Sequence, residues 1–147
     1  MNIAATPTSI TDRPQHLGEW PIDRIIESLK VKFPTLEKQR KQGGASLTYL
    51  PWVHVVKVLD RYAIGWKWEI RQITTTDDRL FMVGRLTIPA LEGEIWREAT
   101  GNEALKEVSR KTGEIQDIAY GDPSSNAESQ SFRRAAAKFG LGLYLYK

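Results

Sequence analysis

Two groups of side chains in this 147-residue sequence have the types and spacing to do chemistry. One is acidic. Glu92, Glu94 and Glu98 in "LEGEIWRE" recur at even intervals, which puts carboxylates on one face of a β-strand, an arrangement that two-metal chemistry uses. The other is basic. Arg133, Arg134 and Lys138 fall within six positions of "SFRRAAAKFG", so a helix carrying them presents a row of cations to phosphates. Each group also has a plainer reading. Strand carboxylates are commonly solvated or paired with basic neighbours, and a basic helix face commonly serves solubility. The rest of the sequence offers little for catalysis. The two histidines, His16 and His54, sit in no H-x-x-x-H or H-x-E pattern, there is no cysteine, and no phosphate-loop or dinucleotide-loop glycine pattern occurs. The expectation is a protein that is not an enzyme and needs no metal or cofactor.

Charge and composition fit that expectation without proving it. The net charge is +3, with 41% hydrophobic and 27% charged residues, ordinary for one globular domain. The cations cluster in "KVKFPTLEKQRK" and again near the C-terminus, while acids gather between Glu92 and Asp122. The first twenty residues contain no continuous apolar run, so neither a signal peptide nor a membrane span is expected, and the expected location is cytoplasmic. The sequence holds five tryptophans. Trp52, Trp66, Trp68 and Trp96 are expected mainly in a core or a subunit interface, with one or two available to stack on bases.

The elements that must position these groups follow from periodicity. Residues 1–19 read as a flexible arm, and residues 20–147 as one domain. Ile22, Ile25, Ile26, Leu29 and Phe33 recur at helical spacing from Pro21 until Pro34 intervenes. Pro51–Tyr62 places Val55, Val58, Leu59 and Tyr62 on one helical stripe, although its valines would also suit a strand. The period then changes to two: "WKWEIRQI", "RLFMVGRLTI" and "GEIWREAT" read as three strands joined by hairpin-length turns. The first of these slips by one at its last step, and Gly84 in the second reads as a bulge. Residues 102–124 are charged with scattered apolar residues and read as a long, partly mobile loop. A final helix opens on a capping-box spacing, Ser125 to Glu128, and stops at Gly140. On it Gln130, Arg134 and Lys138 form a stripe at i, i+4 spacing, with Arg133 about 100° away beside the Ala136 and Ala137 surface. The fold class is α+β, an antiparallel three-stranded meander packed by helices.

Three segments, "TYLPWVHVVKVLDRYAIGWKWEI", "VGRLTIPALEGEIWREATGNE" and "YGDPSSNAESQSFRRAAAKFGLGLYLY", together resemble the RAD52-type single-strand annealing proteins, in particular their bacterial DNA damage response A group. The resemblance spans roughly residues 48–146. It implies subunits assembled side by side into a closed ring, single-stranded DNA in a basic groove, no nucleotide hydrolysis, and a role in DNA double-strand break repair and end protection. It places Arg133 and Arg134 on the family's paired basic residues, and Phe139 and Gly140 on its F-G step. His54 falls where eukaryotic members carry an arginine, and Ala137 where they carry a third helix cation, with Lys138 next to it. Residues expected at the DNA are therefore Arg133, Arg134, Lys138 and His54, and the alanines suit a helix wedged between the sheet and a neighbouring subunit. Expected partners are single-stranded DNA, further copies of the chain and recombination or repair proteins. Two rival readings remain: a general single-strand-binding module that does not anneal, and a small metal-dependent enzyme acting on nucleic acid.

Overall fold

The computed structural model describes residues 12–30, 32, 36–38, 47–117 and 122–146, with backbone alone for 36–38 and 47–49. Residues 39–46, which include the end of the cation cluster, and the arm over residues 1–11 lie outside the described residues. Residues 12–20 are held in place: the Glu19 carboxylate accepts from the Gln15 and His16 backbone N–H groups, and Trp20 is buried. Those hydrogen bonds, that from Gln15 foremost, hold the Glu19 carboxyl below its ordinary pKa.

Helix α1 (Ile22–Leu29) buries Ile25 and Leu29. It closes earlier than the spacing to Phe33 predicts, because the Lys30 N–H is already shared between the Ile26 and Glu27 carbonyls. A short antiparallel pair follows, β1 (Leu36–Lys38) with β2 (Leu47–Tyr49). Helix α2 (Trp52–Tyr62) buries Val55, Val58 and Leu59. That 3–4 residue spacing decides for helix over strand at the valines.

The sheet is the expected antiparallel meander, ordered β3 (Lys67–Thr75), β4 (Arg79–Ala90), β5 (Gly93–Ala104). Alternation on β4 puts Leu80, Met82, Leu86 and Ile88 on the buried face. The bulge is on β3, between Ile70 and Gln72, where the sequence alternation slips. Gly84 is opposite, for a different reason: a Cβ there would lie 2.1 Å from the Trp68 ring and 2.7 Å from Ser131 Oγ. The segment expected as a loop is structured over much of its length. β5 runs to Ala104, and β6 (Lys106–Val108) pairs with β7 (Ile115–Asp117); residues 118–121 lie outside the described residues. Few apolar residues mark this hairpin because both its strands are exposed.

Helix α3 (Pro123–Lys138) crosses β5 and β4. It starts earlier than the Ser125 capping box. Asp122 is the N-cap, accepting from the Ser124 and Ser125 N–H groups, and Pro123 stands in the first turn where no N–H is needed. Hydrogen bonds from the Ser125 and then Ser124 hydroxyls keep the Asp122 carboxyl below its ordinary pKa. Ala127, Ala135, Ala136 and Ala137 are all buried within this one chain. The sheet side of the expected wedge is therefore present, with Ala127 against β5 and Ala137 at the edge of the cleft described below. Gly101 permits the close approach, since a Cβ there would sit 2.0 Å from the Ala127 carbonyl oxygen. The helix closes with Gly140 in a left-handed conformation (φ 104°), its N–H on the Ala137 carbonyl and that of Leu141 on Ala136. A short 3-10 turn, Leu143–Leu145, then lies back along the domain. No described helix is long and apolar enough to cross a membrane.

Candidate nucleic-acid interface

Strand β5 is an edge of the sheet, so alternate residues aim their backbone N–H and C=O groups away from β4. Helix α3 answers them one turn at a time. Gln130 accepts from the Asn102 N–H (3.2 Å) and donates to its carbonyl (3.3 Å). Arg134 donates to the Thr100 carbonyl at 3.4 Å, and Lys138 to the Glu98 carbonyl at 2.6 Å. The stripe read from the sequence is therefore real, and it runs antiparallel to β5 along its outer edge.

Beyond this seam the cations border open space. A cleft of about 290 Å³ lies between β5, the last turns of α3 and the C-terminal turn, lined by Thr100, Arg134, Ala137, Lys138, Leu143 and Tyr146. Each cation spends one donor on the strand in these hydrogen bonds. An ammonium carries three and a guanidinium five, so both retain donors for an anion. Tyr146 is 48% exposed and gives the cleft an aromatic wall. Arg97 adds a third cation next to Lys138. It donates to the Lys138 carbonyl, one of the carbonyls a helix end leaves open, and its guanidinium lies 4.6 Å from the centre of the Phe139 ring.

Of the four residues expected at the DNA, the structure brings Arg134 and Lys138 together in this cleft. Arg133 is half-buried and lines neither this cleft nor the aromatic slot described below. His54 is half-buried on α2, about 200° around that helix from Trp52, and also lines neither. Arg97 and Tyr146 were missed. A signal for Arg97 exists in the strand alternation, which puts it on the face of Ile95 and Ala99, where a cation needs an anionic or carbonyl partner.

The acidic candidates are each engaged elsewhere. Glu92 lies in the turn before β5, not on the strand, and accepts from the Ile22 N–H at the start of α1 (2.9 Å). Glu94 meets Lys67 at 3.6 Å. Glu98 accepts from Arg85 Nε and Nη2 at 2.9 and 2.8 Å, while that guanidinium stacks 3.8 Å from the centre of Trp96. Among the described residues no three His, Cys, Asp or Glu side chains converge as for a metal.

On the other flank of α3 is a second hollow of about 300 Å³, walled by Trp52, Trp66, Trp68 and Phe132, with Glu128 and Ser129 at its edge. Phe132 packs edge-on to Trp68 with ring centres 5.0 Å apart, and tilted against Trp66 at 5.7 Å. The Trp68 indole donates to Glu128 at 2.8 Å, and that of Trp66 to Asp60 at 2.7 Å.

No family profile matches the chain. Two curated relatives do, both from Arabidopsis thaliana. One is DNA repair RAD52-like protein 1, mitochondrial, 35% identical over 129 residues, covering 86% of this chain and 68% of the relative. The other is DNA repair RAD52-like protein 2, chloroplastic, 35% identical over 131 residues, covering 86% of this chain and 61% of the relative. With that identity over most of its length and two thirds of the first relative, this chain belongs to the RAD52-like DNA repair proteins.

Proposed function

We propose that the chain binds single-stranded DNA in the cleft between β5, α3 and the C-terminal turn, and that it anneals complementary strands in DNA repair and recombination. The observation that carries this reading is the meeting of Arg134, Lys138 and Tyr146 around one cleft. Phosphates need cations with donors to spare, and an unpaired base needs an exposed aromatic face. A duplex offers no such face, so Tyr146 beside the two cations suits a single strand. The relatives' membership in DNA repair points the same way.

The proposed activity is not enzymatic and uses no cofactor. Base pairing supplies the free energy, on the order of 1.4 kcal/mol per stacked step. What opposes it is repulsion between two phosphate backbones and the self-structure of each strand. Cations relieve the first, and an extended bound strand removes the second. Within the same proposal several copies assemble as a ring, which multiplies weak binding along one strand. The route to assembly is β3. The α3 seam occupies the β5 edge from Glu98 to Asn102, whereas β3 is the other edge and leaves Ile70 and Ile73 exposed. The finer placement, a cytoplasmic protein of the bacterial DNA damage response A group that protects ends at double-strand breaks, belongs to this proposal as well.

The test is a two-strand annealing assay beside a light-scattering mass. The expected result is acceleration of annealing without nucleotide and in EDTA, by a particle several times the 16.7 kDa chain mass. Binding without acceleration identifies a single-strand-binding module instead, and loss of activity in EDTA reinstates metal chemistry. A monomeric mass removes the ring.

A further inference from the structure

The hollow between α2, β3 and the first half of α3 differs from an ordinary gap in the core. Trp52 is 50% exposed at its mouth, and Trp66 and Trp68 form its walls. Both wall indoles donate N–H to a carboxylate, Trp66 to Asp60 and Trp68 to Glu128. These bonds fix the ring planes and push electron density onto their faces, which strengthens attraction for a cation. Glu128 Oε2 takes the indole bond, leaving the second carboxylate oxygen at the rim.

A second observation concerns the other aromatic rings. Trp20 carries Arg24 at 3.8 Å, Trp96 carries Arg85 at 3.8 Å, Phe139 carries Arg97 at 4.6 Å, Tyr62 carries Arg61 at 5.4 Å and Tyr144 carries Lys32 at 5.5 Å. Among the described residues, no cation of the chain lies over Trp52, Trp66 or Trp68. These rings stand at the cavity, among the described residues, without the cation that Trp20, Trp96, Phe139, Tyr62 and Tyr144 carry.

We propose that this slot is a binding site for a basic side chain, arginine or lysine, presented by a different protein. Aromatic walls with a carboxylate at the rim select an organic cation. The carboxylate disfavours a phosphate-bearing ligand, so a nucleotide is the wrong occupant. In a second copy of the chain Arg24, Arg61, Arg85 and Arg97 already lie over aromatic rings of their own domain, and its remaining cations are the competing occupant that the oligomer mass tests. The site lies on the opposite flank of α3 from the DNA cleft, so both can be filled together.

The test uses two capped tripeptides, Gly-Arg-Gly and Gly-citrulline-Gly, which match in shape and differ in charge. Tryptophan emission is followed at physiological salt. The expected result is a saturable, millimolar response to the arginine peptide, roughly 5-fold or more tighter than to the citrulline peptide. Trp52→Ala, a change at an exposed ring, weakens the response roughly 2- to 5-fold. Glu128→Gln retains an acceptor for the Trp68 indole and still weakens it roughly 5-fold. Single-stranded DNA binding stays unchanged in Trp52→Ala. Equal response to both peptides overturns the proposal in favour of an apolar slot, and no response overturns it outright. A fall in oligomer mass in Trp52→Ala assigns the slot to an interface between copies and overturns it too.

Discussion

The two hollows flanking α3 are nearly equal in volume, about 300 and 290 Å³, and opposite in chemistry. Ser125, Glu128, Ser129 and Phe132 face one, while Arg134, Ala137 and Lys138 face the other, about half a turn away at 100° per residue. In the slot, carboxylates anchor to indole N–H groups, so aromatic faces become the binding surface. In the cleft, cations anchor to strand carbonyls, so their remaining N–H groups become the binding surface. What a hollow binds is decided by what its rim groups are fastened to and what that leaves over; volume says little.

The substitution with the largest expected effect breaks both at once. Gly101→Ala forces a methyl into the Ala127 backbone carbonyl at 2.0 Å, where no flexible side chain can yield. A loss of about 3 kcal/mol is expected, read as a lower urea midpoint, together with loss of both binding activities. A wild-type midpoint would show that α3 has room to ride further from β5 at no cost.

The next change sharpens the contrast. Tyr146→Ala should weaken single-strand binding by about 1–3 kcal/mol for each base it stacks, and Tyr146→Phe should restore it. Strands with abasic spacers test the cause: once the bases are gone, wild type and Tyr146→Ala should bind alike. Persisting inequality on abasic strands would rule out stacking at this residue.

Removing cations separates the flanks by ionic strength. Arg134→Ala or Lys138→Ala should flatten the slope of log affinity against log salt by roughly 0.7 for each phosphate left without its cation, a roughly 2- to 3-fold effect between 50 and 200 mM. Glu128→Gln should leave that slope alone. Stability should fall by no more than about 1 kcal/mol, the worth of one hydrogen bond to a solvent-facing carbonyl. An unchanged slope in both cation variants would make the seam purely structural. Arg133→Ala belongs in the same series, because the family resemblance and the cleft geometry disagree about it.

The helices and the meander were legible because burial on one face leaves a period in the sequence. Val55, Val58 and Leu59 keep helical spacing, and Leu80, Met82, Leu86 and Ile88 keep strand spacing. The β3 bulge was half-legible as a slip between Ile70 and Ile73. The β6–β7 hairpin left no such trace, since its apolar pair Val108 and Ile115 is exposed. At the site, the Gln130–Arg134–Lys138 stripe was visible and its partner was not. Which strand edge a helix lies along is set by the small residues of the seam, Gly101 against Ala127, and these carry no charge or period to announce it. Arg97 reaches the Lys138 carbonyl from β5 and Tyr146 reaches the cleft from beyond the C-terminal turn, so only the folded chain brings them to α3.

The smallest expected effect is at the shared beginning of the helix. Hydrogen bonding holds the Asp122 carboxyl below its ordinary pKa in the folded chain, so its contribution is complete above the unfolded value near 4. That contribution is lost as pH falls through the lowered folded pKa. Asp122→Asn keeps a capping oxygen without the charge and should remove this component of the acid response while leaving neutral-pH structure intact. An acid transition identical in wild type and variant would assign the acid sensitivity to other carboxylates.

The seam along β5 also works as a vernier. Successive helix rungs, four residues apart, advance about 6.0 Å, while the outward-facing strand residues they meet advance about 6.6–6.8 Å. The two scales drift by about 0.7 Å per rung, which long side chains absorb over a few steps. Three rungs are used here, Gln130, Arg134 and Lys138, and the first of the outward-facing residues beyond them is Trp96. A straight helix cannot close a straight strand edge indefinitely, so a device of this kind has a natural length; here α3 stops at Lys138, one rung short of Trp96, before that drift exceeds the reach of its side chains.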